Sequence, residues 1–349
     1  MEPAGIQEPV RFSVGYNRMD GDRDVFSDIV REYRAHIREV YFAWPGDPSG
    51  RAPLDPATAE FVLDDLVRIR SLGVDLNLLF NASCYGERAV SAELQRHVRD
   101  VLGRGVERLA VTAVTTLSPL VARVVKEQFS DIDVRASVNL RLGTRQALEY
   151  AAPFFDSYTV QRETNRDLNR FTELQTWAEQ NGKDLHVLAN SGCLNFCSFQ
   201  TFHDNAVAHE GEIQGRGDAA GMATLCREYY ADREHWVNFL CGSWIRPEDI
   251  AAHAARVRCG YKLATRMHDN PRLVIHAYAS GRHYGNLLDL MEPGFGSSFF
   301  PWAIDNSRFP ADWFEKTANC RHAGPCATCR EVLADVLVRA DGWQAERRR

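Results

Sequence analysis

Nine cysteines stand at positions 84, 193, 197, 226, 241, 259, 320, 326 and 329, and their spacing is the strongest chemical signal in the sequence. Asn190-Ser-Gly-Cys193-Leu-Asn-Phe-Cys197 follows directly from an apolar run, with Gly192 free to turn the chain. The three residues between Cys193 and Cys197 let both thiolates face one centre from a loop or a helix start. Cys226 and Cys241 follow in the same segment. Iron–sulfur clusters are typically held by four cysteine thiolates, so Cys193, Cys197, Cys226 and Cys241 are the expected ligands of one [4Fe–4S] cluster. Tetrahedral zinc takes the same ligands and is the direct alternative, with His203 or His209 able to replace a cysteine. Buried, inert thiols are the plain alternative. A radical-SAM arrangement would ask for Cys-x3-Cys-x2-Cys, and its third position is Gln200 here.

Cys320-x5-Cys326-x2-Cys329, with His322 between, is a second candidate metal site. Cys84 or Cys259 could supply its fourth ligand. An odd cysteine count with uneven spacing argues against a disulfide framework. The 349 residues are 45% hydrophobic and 25% charged, the balance of a soluble globular protein. A net charge of −6 disfavours broad nucleic-acid binding. No apolar run is long enough to span a membrane. The first 30 residues show no basic start leading into an apolar stretch. A cytoplasmic protein without a membrane partner is therefore expected. Arg347-Arg348-Arg349 reads as a solvated tail.

Short β-branched and aromatic runs must position these residues. They read as strands at 12–17, 40–44, 76–82, 109–115, 134–140, 158–163, 185–190 and 261–266. Amphipathic stretches between them read as helices at 24–33, 61–72, 92–101, 117–129, 144–152 and 168–181, with Ser91 as an N-cap and Gly73 as a stop. Eight strands alternating with helices predict a (β/α)8 TIM-like barrel. A doubly wound sheet would carry a glycine-rich phosphate loop after its first strand, and Asn17-Arg-Met-Asp-Gly-Asp is not one. The last gap, between the starts of strands seven and eight, is 76 residues, against 24 to 36 elsewhere. The expected layout is a barrel over residues 1–285 with a cluster-binding insertion at 191–250, then a C-terminal extension at 286–349.

Polar groups close the expected strands: Asn17, Trp44, Asn81, Thr115, Asn139, Arg162-Glu163, Asn190 and Arg266. Barrel strands converge at their C-terminal ends on the face that carries catalysis, so these residues outline a polar pocket. Asn17, Asn81 and Asn190 could orient a substrate or simply bond exposed strand-end backbone.

Three segments resemble the peptidase U32 family. Tyr158-Thr-Val-Gln-Arg162-Glu163-Thr-Asn resembles its strand ending in Arg-Glu-Leu-Ser. Leu185-His-Val-Leu-Ala-Asn-Ser-Gly-Cys193 resembles its cysteine-bearing strand and loop. Ile245-Arg-Pro-Glu-Asp249, then Gly260-Tyr-Lys262-Leu-Ala-Thr-Arg266, resembles its Asp-Leu segment and Phe-Lys-Ile-Glu-Gly-Arg. The resemblance spans roughly residues 10 to 285. Thr164-Asn165 and Ala264-Thr265 depart from the family's Leu-Ser and Glu-Gly. The resemblance implies a TIM-like barrel with a [4Fe–4S] cluster held by four cysteines at its mouth. It also implies oxygen-independent hydroxylation of an RNA base or a quinone-precursor ring, with prephenate as oxygen source. Cys193 and Cys197 match family positions by motif, Cys226 and Cys241 by order.

A cluster with one iron not held by the protein can bind substrate oxygen as a Lewis acid. Arg162, Lys262 and Arg266 are the expected holders of a donor carboxylate, unless Arg162 or Arg266 instead bridges to Glu163. Glu163 or His203 is the candidate general base. The expected partners are a small-molecule or nucleobase-like substrate, a U32-type partner subunit and an electron donor. Proteolysis, suggested by the family name, and a non-catalytic cluster carrier are the other two readings. The sequence contains neither a Gly-x-Ser-x-Gly elbow nor a His-Glu-x-x-His helix.

Overall fold

The computed structural model describes residues 9–18, 25–50, 54–210, 212–213, 225–320 and 324–340. His322 and Arg347-Arg348-Arg349 lie outside the described residues, as does the start of the first expected helix. Eight parallel strands close into a barrel in sequence order. They are β1 (Phe12–Gly15), β2 (Ile37–Ala43), β3 (Asp75–Phe80), β4 (Ala113–Thr116), β5 (Asp133–Ala136), β6 (Ser157–Thr159), β7 (Asp184–Leu188) and β8 (Gly260–Leu263). Phe12 of β1 pairs with Ile37 on one side and Tyr261 on the other, which closes the ring and excludes an open doubly wound sheet.

Between the strands run α1 (Phe26–Glu32), α2 (Ala59–Ser71), α3 (Ala92–Leu109), α4 (Pro119–Gln128), α5 (Arg145–Ala151) and α6 (Leu168–Gln180). Their starts follow local chemistry. Ser91, Ser118, Thr144 and Asp167 each accept a backbone N–H of the first turn from the N-cap position. Each helix for which a buried face is described turns apolar residues toward the outer faces of the strands, as α3 does with Leu94, Val98, Val101 and Leu102.

The strands are shorter at their C-terminal ends than the apolar runs suggest. Val138–Leu140 and Arg162–Thr164 are single turns of 3-10 helix. Leu109 ends α3 instead of opening a strand, because Ala110 takes a left-handed conformation at φ 49° and stops the helix there. The polar residues read as strand ends therefore sit in the loops after the strands, except Thr115, which stays within β4.

The barrel interior carries a polar core. Arg135 donates to both oxygens of Glu39 at 2.9 and 3.0 Å. Ser13 and Asn77 donate to Glu39 Oε1 at 2.6 and 3.1 Å, and Thr115 donates to Asn77. Arg135 also reaches Asp133 and Ser157. Such a buried ion pair is tolerable because its lone pairs and protons are matched.

After β8 comes a helix at Pro271–Ser280, then the C-terminal extension. In the extension β9 (Trp302–Ile304) pairs antiparallel with β10 (Leu337–Arg339). The helix Ala327–Val336 packs on Val237–Leu240 of the insertion, so extension and insertion share one apolar core with the barrel. No helix among the described residues is long and apolar enough to cross a membrane.

Candidate active site

Four of the residues expected to bind substrate converge at the C-terminal mouth of the barrel. Asn81, Arg162, Lys262 and Arg266 line one small cavity of about 100 Å³ with Tyr41, Asn139, Asp204 and Glu292. Arg162 donates from Nη2 to Asn139 at 3.1 Å, while its buried Nε has no hydrogen-bond partner. The buried Asn81 Oδ1 also lacks one. No ion pair joins Arg162 to Glu163. The Lys262 ammonium lies 3.7 Å from the centre of the Tyr41 ring. Its pKa is lowered to about 7, first by desolvation; Glu39 opposes the shift, and Arg135 and Arg266 add to it.

Asn17 and Asn190 serve the backbone. Asn17 donates to the carbonyls of Thr265 and His268, tying β1 to the end of β8. Asn190 donates to Ala264 and Leu290 carbonyls and accepts the Ala264 N–H at 2.6 Å. Of the two roles open to these amides in the sequence, the structure uses them for strand-end backbone.

Glu163 points to the cysteine loop. Its Oε1 accepts the Phe196 N–H at 3.0 Å, and Phe196 holds a left-handed backbone at φ 51° between Cys193 and Cys197. Gly192 is required just before. A Cβ there would come within 2.2 Å of the Pro293 carbonyl oxygen, because the segment after Leu290 runs alongside. His203 lies on α7 (Gln200–Ala208), one residue before the cavity-lining Asp204.

The cysteines sort into two groups. Cys226 joins Cys193 and Cys197: its thiol is pushed up by burial and then by those two neighbours. Cys241 is drawn elsewhere. Its sulfur lies 3.9 Å from Cys329, whose sulfur is 3.8 Å from Cys326. Cys329 accepts both S–H groups and is held below the ordinary thiol value, while Cys241 is raised. The sequence linked Cys241 to Cys226 by order alone, whereas packing of the C-terminal helix onto Val237–Leu240 brings it to the extension. Tyr230, 1% exposed, lies between the groups: after burial and Tyr229, thiols from both sides raise its hydroxyl pKa. Cys193, Cys197 and Cys226 thus form a group apart from Cys241. Among the described residues no group of three or more His, Cys, Asp or Glu is arranged to hold a metal ion. Burial pushes the Cys259 thiol up to about 12, and the residue sits half-buried against the barrel core.

One constellation had no signal in the sequence. The Cys84 sulfur accepts the Gly86 N–H at 3.3 Å, and its thiol is lowered first by a hydrogen bond with His209. His209 Nδ1 is 3.3 Å from Glu212, and both partners raise the imidazole. The separation of 125 positions from Cys84 to His209 concealed the pairing.

A larger cavity of about 850 Å³ opens at the opposite end of the barrel, lined by Glu39, Asp133, Arg135 and His186. Burial, then Arg135, keeps His186 neutral there. It lies on the stability face, away from both cysteine groups.

No family model and no curated protein matches the sequence. Among solved structures, the U32 peptidase Mk0906 is similar at 16% identity over 60% of this chain and 81% of that one, with a TM-score of 0.48. An enolase from Thermobispora bispora is similar at 16% identity over 58% of this chain and 47% of its own, with a TM-score of 0.34. A dipeptide epimerase from Enterococcus faecalis is similar at 11% identity over 58% and 54% of the two chains, with a TM-score of 0.35.

Proposed function

We propose that this chain is a [4Fe–4S]-dependent oxidoreductase of the U32 type that works at the barrel mouth. The reaction we assign is oxygen-independent hydroxylation of an aromatic or nucleobase-like substrate, with a carboxylate-bearing, prephenate-like oxygen donor. The observation that carries this reading is the convergence of Arg162, Lys262 and Arg266 in one cavity, with Glu163 tying the cysteine loop to the same rim. Cys193, Cys197 and Cys226 fit the cluster as soft donors, two of them on a loop fixed by Gly192 and Glu163. The bound cluster would supply Lewis-acid or electron-transfer chemistry.

The chain's own part is binding and orientation. Arg162 and Arg266 suit the planar carboxylate of the donor. Lys262, near neutrality, can take or give a proton beside it. Asn81 and Asn139 offer amides to the polar edge of the substrate. Nine free cysteines suit a reducing cytoplasm. Anaerobic purification with iron, sulfide and zinc quantified tests the reading. Iron and sulfide in equal amounts, lost in Cys193→Ala and Cys197→Ala, support it; their absence from protein never exposed to air refutes it. A screen of aromatic substrates with a carboxylate donor then tests the reaction.

A second reading has its own observation. Cys84, His209 and Glu212 have the order of a thiol nucleophile, its base and an orienting carboxylate, which suits a U32-type peptidase. Iodoacetamide should alkylate Cys84 below the ordinary thiol pKa, and His209→Ala should remove that reactivity. Peptide hydrolysis that persists in Cys84→Ala would end this reading.

A further inference from the structure

We infer that Cys241, Cys320, Cys326 and Cys329 form a zinc site that clamps the C-terminal extension to the insertion. The argument starts from sulfur contacts. Zinc–sulfur bonds of about 2.3 Å in a tetrahedron place neighbouring sulfurs about 3.8 Å apart. Cys329 meets Cys241 at 3.9 Å and Cys326 at 3.8 Å, two edges of that size sharing one corner. A disulfide would need a separation of about 2.05 Å and would use only one of the two contacts. A four-iron cluster places each thiolate on a separate iron, so its thiolates do not touch.

Cys320 is brought to the same place by backbone. The Asn319 N–H donates to the Arg166 carbonyl at 2.8 Å, and Asn319 Oδ1 accepts the Asn169 N–H at 2.8 Å. Cys320 acts electrostatically on both Cys241 and Arg166.

Arg166 is the independent observation. It is 3% exposed, and its guanidinium lies 4.9 and 5.2 Å from the centres of the Trp244 and Trp313 rings. Nη1 donates to the carbonyls of Leu240 and Gly242, which flank Cys241. Nε and Nη2 have no hydrogen-bond partner. Asp249, whose carboxylate acts on it, is held bidentately by Arg246 at 2.8 and 2.9 Å. A buried guanidinium beside Cys241, Cys320 and Cys329, with its nearby carboxylate already paired, lacks a full matching anion. Four thiolates around Zn²⁺ carry a net charge of −2 and supply it. Binding releases four protons, one from each thiol, and changes no oxidation state. Arg166 is then a positioning residue, held beside the site by its bonds to the Leu240 and Gly242 carbonyls.

The test uses the full chain carrying Cys193→Ala and Cys197→Ala, which removes the rim cluster. We expect about one zinc per chain to remain. Cobalt(II) added after zinc removal should give the intense ligand-field and charge-transfer bands of a tetrahedral tetrathiolate. Cys329→Ser should lose those bands, and Arg166→Gln should weaken zinc binding about 10–100-fold against a chromophoric chelator. Iron and sulfide persisting in the Cys193/Cys197 variant would overturn the proposal in favour of a second cluster. Neither zinc nor cobalt in folded protein would overturn it as well. Failure of the rim cluster reading shows separately, as missing iron in the unmutated chain.

Discussion

Glu163 accepts the backbone N–H of Phe196 at 3.0 Å, so the residue that closes the turn after β6 also fixes the loop between Cys193 and Cys197. The carboxylate thereby joins two neighbouring strand ends across the rim. It is a brace for the cysteine loop before it is a candidate base. Glu163→Ala should release the loop at a cost of about 1 kcal/mol and lower the iron retained on anaerobic purification. Glu163→Gln keeps a carbonyl acceptor and should retain most of it. Equal iron in all three proteins would show that the bond does not position the loop.

Arg162 should behave differently, because it faces the cavity and not the cysteines. Arg162→Ala should leave iron and sulfide unchanged. It should raise the KM for the carboxylate donor about tenfold or more, the worth of one charge-assisted hydrogen bond of about 1.5–3 kcal/mol. Arg162→Lys should recover little, since an ammonium lacks the planar fork. Loss of iron in Arg162→Ala would make the residue structural.

The barrel was legible because the strands are apolar runs followed by amphipathic helices, several of which carry their own cap, as at Ser91 and Thr144. Strand ends were less so, because residues such as Val138 and Leu140 are apolar yet lie in a turn that burial alone does not distinguish from a strand. The mouth was readable at Arg162, Lys262 and Arg266, whose positions follow the strand register. The roles of Asn17 and Asn190 were not, since an amide that braces backbone and one that faces a ligand look alike in sequence. The partners of Cys241 and Cys84 come from distant segments, and no local pattern records such packing.

The Glu39–Arg135 pair should dominate the acid response. Burial alone would raise the Glu39 carboxyl, but Arg135, Ser13, Asn77 and Lys262 together hold it below its ordinary value. A depressed folded pKa gives stability that is complete above the unfolded value of about 4.3 and lost as pH falls through the folded one. The urea midpoint should be flat in this respect above about pH 5 and fall below about pH 4. Arg135→Met should cost about 3–5 kcal/mol at neutral pH by stranding a buried charge. Adding Glu39→Gln should restore most of that. A double variant no better than the single one would show that packing, not charge, is what Arg135 supplies.

Lys262 should shape the pH dependence of stability in the opposite sense to a lysine whose pKa is raised by an ion-pair partner. Its folded pKa is lowered to about 7 by desolvation, with Arg135 and Arg266 adding to it against Glu39, while the unfolded side chain has a pKa of about 10.4. Between these values the unfolded chain binds a proton that the folded one does not, so stability rises with pH across that window. The contribution is complete above the unfolded value and is lost as pH falls toward 7. Lys262→Met should therefore gain most over the unmutated chain below about pH 7, with the gain shrinking toward pH 10. Competitive acylation should show one amine reactive near neutral pH. A carboxylate donor bound beside it should raise its pKa and protect it. An ordinary lysine titration at this position, with no response to the donor, would remove Lys262 from the site.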